Sequence, residues 1–224
     1  MPLQDKKHWS AKSDLKHDEL KDAVELAVDW VLAHKGQAAG GAAAIAVVAA
    51  LAALAFYSRR ARADAAWDGV IAAESAAGHA ADAQPLIARV LSEGGSASAS
   101  VMARLLDGDL RYAAGQYDQA LDAYAKAAAE APENLKDFAL ADTVQTLEAA
   151  GKSDQCVAAA QSFLDAHGED LLAPQVHAGL ARCLQAQGQA DAAKAALQKI
   201  ALQYPGTPWA DWAAARLAAP AAAK

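Results

Sequence analysis

The chain has 224 residues, of which 54% are apolar and only 6% aromatic, and its net charge is −7. Alanine supplies most of the apolar fraction, a composition that points to close-packed helices in one or two small domains, an all-α protein. The acid surplus repels phosphate backbones and excludes nucleic acid as a partner. Two cysteines, Cys156 and Cys183, are too few for a disulfide-stapled fold and too isolated for a paired-cysteine zinc site.

The first predicted element is read from "DELKDAVELAVDWVLAHKG". Leu20, Ala23, Val24, Ala27, Val28 and Val31 recur at helical spacing. Asp18, Glu19, Asp22 and Glu25 come early, His34 and Lys35 come late, and Gly36 follows as a stop, which suits the helix dipole. This is a short amphipathic helix whose polar face is acidic, so it packs on a partner or on the next segment rather than on a membrane surface.

From Gly36 to Ser58 there is no charged residue over 23 positions. About twenty apolar residues cross a hydrocarbon core of roughly 30 Å, which predicts a transmembrane helix over 38–58 with a tail at 1–37. Lys35 on one side and Arg59, Arg60 and Arg62 on the other can reach the interfaces, near which Trp30, Phe56 and Tyr57 also lie. The alternatives are a helix buried in a soluble core and a cleaved signal; "SRRAR" is a poor cleavage site. By local charge the three arginines favour a cytoplasmic location for the C-terminal part of the chain.

Residues 63–224 hold eleven Lys and Arg against twenty Asp and Glu, and they carry an internal repeat. "AAGHAADAQPLIARVL", "AAGQYDQALDAYAKAA", "AAGKSDQCVAAAQSFL" and "AQGQADAAKAALQKIA" align without gaps on Gly78, Gly115, Gly151 and Gly188, spaced 37, 36 and 37 residues apart. Each glycine ends a first helix at φ > 0. Five positions on, Ala83, Ala120, Cys156 and Ala193 mark the helix crossing, where bulk would force the pair apart. Ile87 and Val90, Tyr124 and Ala127, Ala160 and Phe163, and Leu197 and Ile200 then form the apolar stripe of each second helix.

The second unit, "DGDLRYAAGQYDQALDAYAKAAAEAP", resembles the tetratricopeptide repeat in Gly108, Tyr112, Ala120, Tyr124 and Pro132, with Arg104 and Asp107 in place of the usual Trp and Leu. The fourth repeats the resemblance with Leu180, Ala181, Leu184, Ala193 and Pro205. "ALQYPGTPWADWAAARLA" is similar to the closing segment of bacterial envelope repeat proteins, with Trp209, Trp212, Ala213 and Leu217 covering the end of the stack. The expected fold is thus a transmembrane helix followed by a tetratricopeptide-like α-solenoid over 59–224 with a C-terminal capping helix.

The order of tail, single span, basic "FYSRRARADAAW" exit and degenerate repeats resembles the YfgM-like proteins, ancillary subunits of the bacterial SecYEG translocon. That resemblance implies an inner-membrane protein with a cytoplasmic N-terminus and periplasmic repeats, whose partners are the translocon and a periplasmic chaperone. The closing segment also resembles the repeat proteins associated with Tol-Pal, which coordinate envelope division.

No catalytic, cofactor-binding or metal-binding motif is present, so a non-enzymatic scaffold is expected. His8, His17, His34, His79, His167 and His177 are scattered and read as surface or turn residues. Cys156 and Cys183 fall on neighbouring helices, where buried thiols, a disulfide in an oxidising compartment and a redox role all remain open. First-helix positions Asp109, Tyr112, Gln145, Glu148, Arg182 and Gln185 form the candidate concave peptide-binding face, or else a solvated face.

Overall fold

The computed structural model describes residues 11–218, and side-chain surroundings from residue 21. His8 and the side chains of His17 and Leu20 lie outside the described residues. Among the described residues there are ten helices and no strand. In chain order they are α1 (Ala11–Ala33), α2 (Lys35–Ser75), α3 (Ala80–Glu93), α4 (Ala97–Ala113), α5 (Tyr117–Glu130), α6 (Glu133–Ala149), α7 (Ser153–His167), α8 (Ala173–Ala186), α9 (Ala190–Gln203) and α10 (Pro208–Ala218). The packing divides the chain into two units, 1–58 and 59–224.

In the first unit Gly36 does not stop a helix. The turn falls at His34, where the His34 amide still bonds the Trp30 carbonyl at 2.9 Å, and Gly36 lies inside α2. Nothing there requires a reversal, so the glycine keeps helical dihedrals at a cost of about 1 kcal/mol relative to alanine. The uncharged segment of α2 is long and apolar enough to span a membrane, and none of it is buried. Ile45, Leu51, Leu54 and Phe56 are 60–72% exposed, which removes the soluble-core alternative: a core helix would be covered on all sides. Val24, Val28 and Val31 of α1 are also exposed.

The second unit is a stack of helix pairs: the end of α2 with α3, then α4–α5, α6–α7 and α8–α9, closed by α10. The glycine linkers explain the pairing. Gly115, Gly151 and Gly188 have φ of +72°, +69° and +76°. The next amide in each bonds back five residues, Gln116 to the Arg111 carbonyl, Lys152 to Leu147 and Gln189 to Leu184, at 2.8–2.9 Å. This is the Schellman closure, which satisfies otherwise unpaired helix carbonyls while reversing the chain.

Gly78 departs from that pattern and has no positive φ. Helix α2 ends three residues before it rather than two, and the reversal is spread over Ala76–His79 by short turn bonds such as His79 to the Ala76 carbonyl at 2.8 Å. No single residue then has to turn the chain.

The crossing positions are as small as the contacts demand. Ala83, Ala120 and Cys156 are completely buried and Ala193 nearly so, with the second-helix stripes packed beside them. Tyr124, 2% exposed, lies over Gly108, where an added Cβ would collide with the ring. One apolar cluster joins α2, α3 and α4 through Val70, Ile87 and Leu110; another joins α6 to α9 through Val144, Phe163, Val176 and Ala196.

At the far end the Tyr-Pro-Gly-Thr turn works through Thr207. Its hydroxyl donates to the Tyr204 carbonyl at 2.7 Å and accepts from the Ala210 amide at 3.3 Å, capping α10. Ala213 is fully buried against Ala178 and Ile200, with Trp209 and Trp212 beside it.

Candidate protein-interaction face

The first helices α4, α6 and α8 bring Tyr112, Gln145, Glu148 and Arg182 to a common recess of about 490 Å³. Gln175 and Trp209 complete it. Trp209 was expected only to close the stack, and Gln175 was not singled out. Both enter because the recess spans three units and the cap, a juxtaposition that the repeat spacing alone does not show.

Polar ties run across the recess from unit to unit. Gln145 Nε2 donates to Tyr112 Oη at 3.4 Å, and Gln175 Nε2 donates to Gln145 Oε1 at 3.3 Å. Arg182 grips Glu148 with two parallel bonds, Nε to Oε1 at 2.5 Å and Nη2 to Oε2 at 2.8 Å. The Arg182 guanidinium also lies 5.6 Å from the Trp212 ring centroid, with Arg216 at 3.9 Å. Such forked pairs are held by geometry as well as charge, so this part of the face is pre-shaped.

Asp109 and Gln185 do not join the recess. Gln185 is exposed on α8. Asp109 accepts from Tyr124 Oη at 2.7 Å through Oδ1. Burial raises the Asp109 pKa and the Tyr124 bond lowers it in part. On α6, Asp142 is pushed up to about 7, first by burial and then by Asp109 nearby. Two carboxyls near each other in a partly dry setting resist double ionisation, which is why Asp142 holds its proton more tightly than a free aspartate.

The histidines divide more sharply than their scatter suggested. His34 stacks on Trp30 at 5.1 Å and His79 is exposed. His167 is instead half-buried, its Nδ1 3.1 Å from Asp137, and His177 is only 6% exposed. The rings lie near Phe163 and Tyr204 respectively, the second a contact that sequence neighbours do not reveal. Among the described residues no three His, Cys, Asp or Glu side chains gather as metal ligands.

Cys156 of α7 and Cys183 of α8 are joined as a disulfide with Cα atoms 6.2 Å apart, so neither thiol is free. Both are essentially inaccessible, at 0% and 1% exposure. The bond ties the second helix of one pair to the first helix of the next.

A family profile described as the tetratricopeptide repeat matches residues 103–134 and 179–207. The second and fourth units are thus tetratricopeptide-like. The first matched segment contains Tyr112 of the recess and the second contains Arg182. No curated protein matches the chain. Tetratricopeptide units are interaction scaffolds, and the ladder of polar and aromatic side chains fits that use.

Proposed function

We propose that the protein is a membrane-anchored, non-enzymatic adaptor of the bacterial inner membrane, ancillary to the Sec translocon and linking it to a periplasmic chaperone. Residues 1–37 form the cytoplasmic tail, 38–58 the span and 59–224 the periplasmic repeat domain. The observation that carries the reading is the succession of a fully exposed apolar span and tetratricopeptide-like units. The resemblance to YfgM-like proteins supplies the translocon and the chaperone.

The Cys156–Cys183 bond supports the periplasmic side, because cytosolic thiols are kept reduced. The same bond counts against a redox factor, which needs an accessible sulfur. The exposed span likewise disfavours the Tol-Pal-associated alternative, whose members are soluble or lipid-anchored.

Crosslinking in native membranes followed by identification of the captured proteins tests the reading. Recovery of translocon and chaperone subunits is expected, and their absence from the captured set defeats it. For orientation, a cysteine introduced at exposed Ala125 is labelled in spheroplasts by a membrane-impermeant maleimide. Labelling only after lysis would overturn the periplasmic placement.

A further inference from the structure

Most arginines of the repeat domain are committed to a partner within it. Arg60 stands 4.0 Å from Asp64, Arg89 2.9 Å from Glu93, Arg104 3.0 Å from Glu130 and Arg111 2.8 Å from Asp107. Arg182 is held by Glu148, and Arg216 lies over the Trp212 ring. Arg59 and Arg62 have neither a carboxylate nor a ring partner among the described residues, and both are exposed. Three residues apart, they stand one above the other on the same face of α2.

Arg62 also lines a pocket of about 360 Å³ between α2 and α3. Ala65, Gly69, Leu86 and Val90 give the pocket small and apolar walls, and Asp68 and the Arg89–Glu93 pair are its other charged groups. Two glycines hold it in shape. A Cβ on Gly69 would stand 2.5 Å from Val90 Cγ2, and one on Gly95 would stand 2.5 Å from the Arg62 carbonyl oxygen, so α3 and the turn after it are seated directly on α2. The Arg60–Asp64 and Arg89–Glu93 pairs cancel, and Arg59 and Arg62 against Asp68 leave a surplus of one positive charge.

We infer that this pocket binds the headgroup of a phospholipid with one net negative charge, of the phosphatidylglycerol kind, with Arg59 and Arg62 on the phosphate. Guanidinium forks match phosphate oxygens in shape as well as charge. The hydroxyls of a glycerol headgroup can donate to Asp68, whereas a zwitterionic headgroup brings its own cation and leaves the surplus uncompensated. Chain connection selects a lipid over a diffusible phosphate. Arg59 directly follows the last residue of the span, and four residues of chain reach no more than about 14 Å, so Arg62 is kept near the lipid phosphates. The inference rests on the span of the adaptor reading and not on its translocon partner.

Native mass spectrometry of the full chain in uncharged detergent micelles, titrated with phosphatidylglycerol, phosphatidylcholine or glycerol 3-phosphate, tests the site. One phosphatidylglycerol adduct is expected, about tenfold tighter than that of phosphatidylcholine, with none from glycerol 3-phosphate at the same concentrations. Arg62→Gln should weaken the adduct about tenfold, the usual effect of one lost bond to a charged group, and Ala65→Leu, which narrows the pocket from an exposed position, should weaken it as well. Arg60→Gln removes the same charge about 200° around the helix and should change the affinity by less than about twofold. Equal affinity for the two lipids, equally tight binding of glycerol 3-phosphate, or equal losses in Arg60→Gln and Arg62→Gln would each overturn the assignment. Carbonate-resistant insertion into phosphatidylcholine vesicles reports the span separately. Insertion without lipid selectivity overturns the site alone, and failure to insert overturns the site and the span together.

Discussion

Reducing the Cys156–Cys183 bond removes a cross-link without removing any side-chain atom, and the two sulfurs need only part from bonding to van der Waals distance. The bridged residues are 27 apart in sequence. In the chain-entropy treatment, closing a loop of that length restricts the unfolded chain by about 12 cal/mol/K, or about 3.5 kcal/mol at 25 °C. At roughly 2–4 °C per kcal/mol for a domain of this size, reduction should lower Tm by about 7–14 °C. The loss should also be local, since repeat units answer mainly to their neighbours. Amide exchange in α7 and α8 should accelerate up to a few hundredfold, roughly tenfold per 1.4 kcal/mol, while α4 and α5 change little. The assay is a circular dichroism melt of the full chain, oxidised and after reduction in mild denaturant, with alkylation and mass measurement to verify the thiol state. Because both sulfurs are buried, the folded chain should resist reduction until it opens. Melting points within about 2 °C of each other in the two verified states would refute the reasoning.

Other outcomes rest on single side chains. Gly108→Ala should cost about 1–3 kcal/mol by overpacking, read by urea titration, because the Tyr124 ring is pinned by its bond to Asp109 and cannot swing away from the new methyl. Gly151→Ala should cost about 1 kcal/mol in the same titration through its φ of +69°, whereas Gly78→Ala, with no such strain, should be close to neutral. The raised Asp142 pKa makes the folded state hold the proton more tightly than the unfolded one. Its contribution is therefore complete below about pH 4 and is lost as pH rises through about 7. Asp142→Asn should accordingly stabilise at pH 8 and change little at pH 4. The gain is at most about 4 kcal/mol and is expected at about 1–2 because the side chain keeps some water, as melts at the two pH values would show. Trp212→Ala should loosen α10 and expose Ala213 and Ile200, lowering Tm by several degrees and speeding exchange in α9 and α10.

Much of the architecture was legible because it rests on local chemistry that repeats. A glycine that must turn left-handed, a small residue at a crossing and a stripe four and seven positions on are each set by backbone geometry, and Gly115, Ala120, Tyr124 and Ala127 show all three. Gly36 and Gly78 show where that reading fails: glycine permits a left-handed turn without imposing one, and the neighbouring helix ends decide. At the candidate face, Tyr112, Gln145, Glu148 and Arg182, which share the recess, were legible from helical phase. Gln175 and Trp209 were not, because they reach the recess from another turn and from the cap. The burial of His177 and the mutual influence of Asp109 and Asp142 arise only when helices distant in sequence are packed together.

The central claim is that the first-helix face holds a protein of the export machinery. A photo-crosslinking residue placed at exposed Gln145, between Tyr112 and Gln175, tests it most directly when irradiated in native membranes. The account predicts a discrete crosslinked product containing a translocon or chaperone subunit, weakened when Arg182→Ala removes the Glu148 pair. A probe at Gln145 that yields no protein adduct, or the same adducts as a probe at Ala125 on the second-helix side, would contradict it.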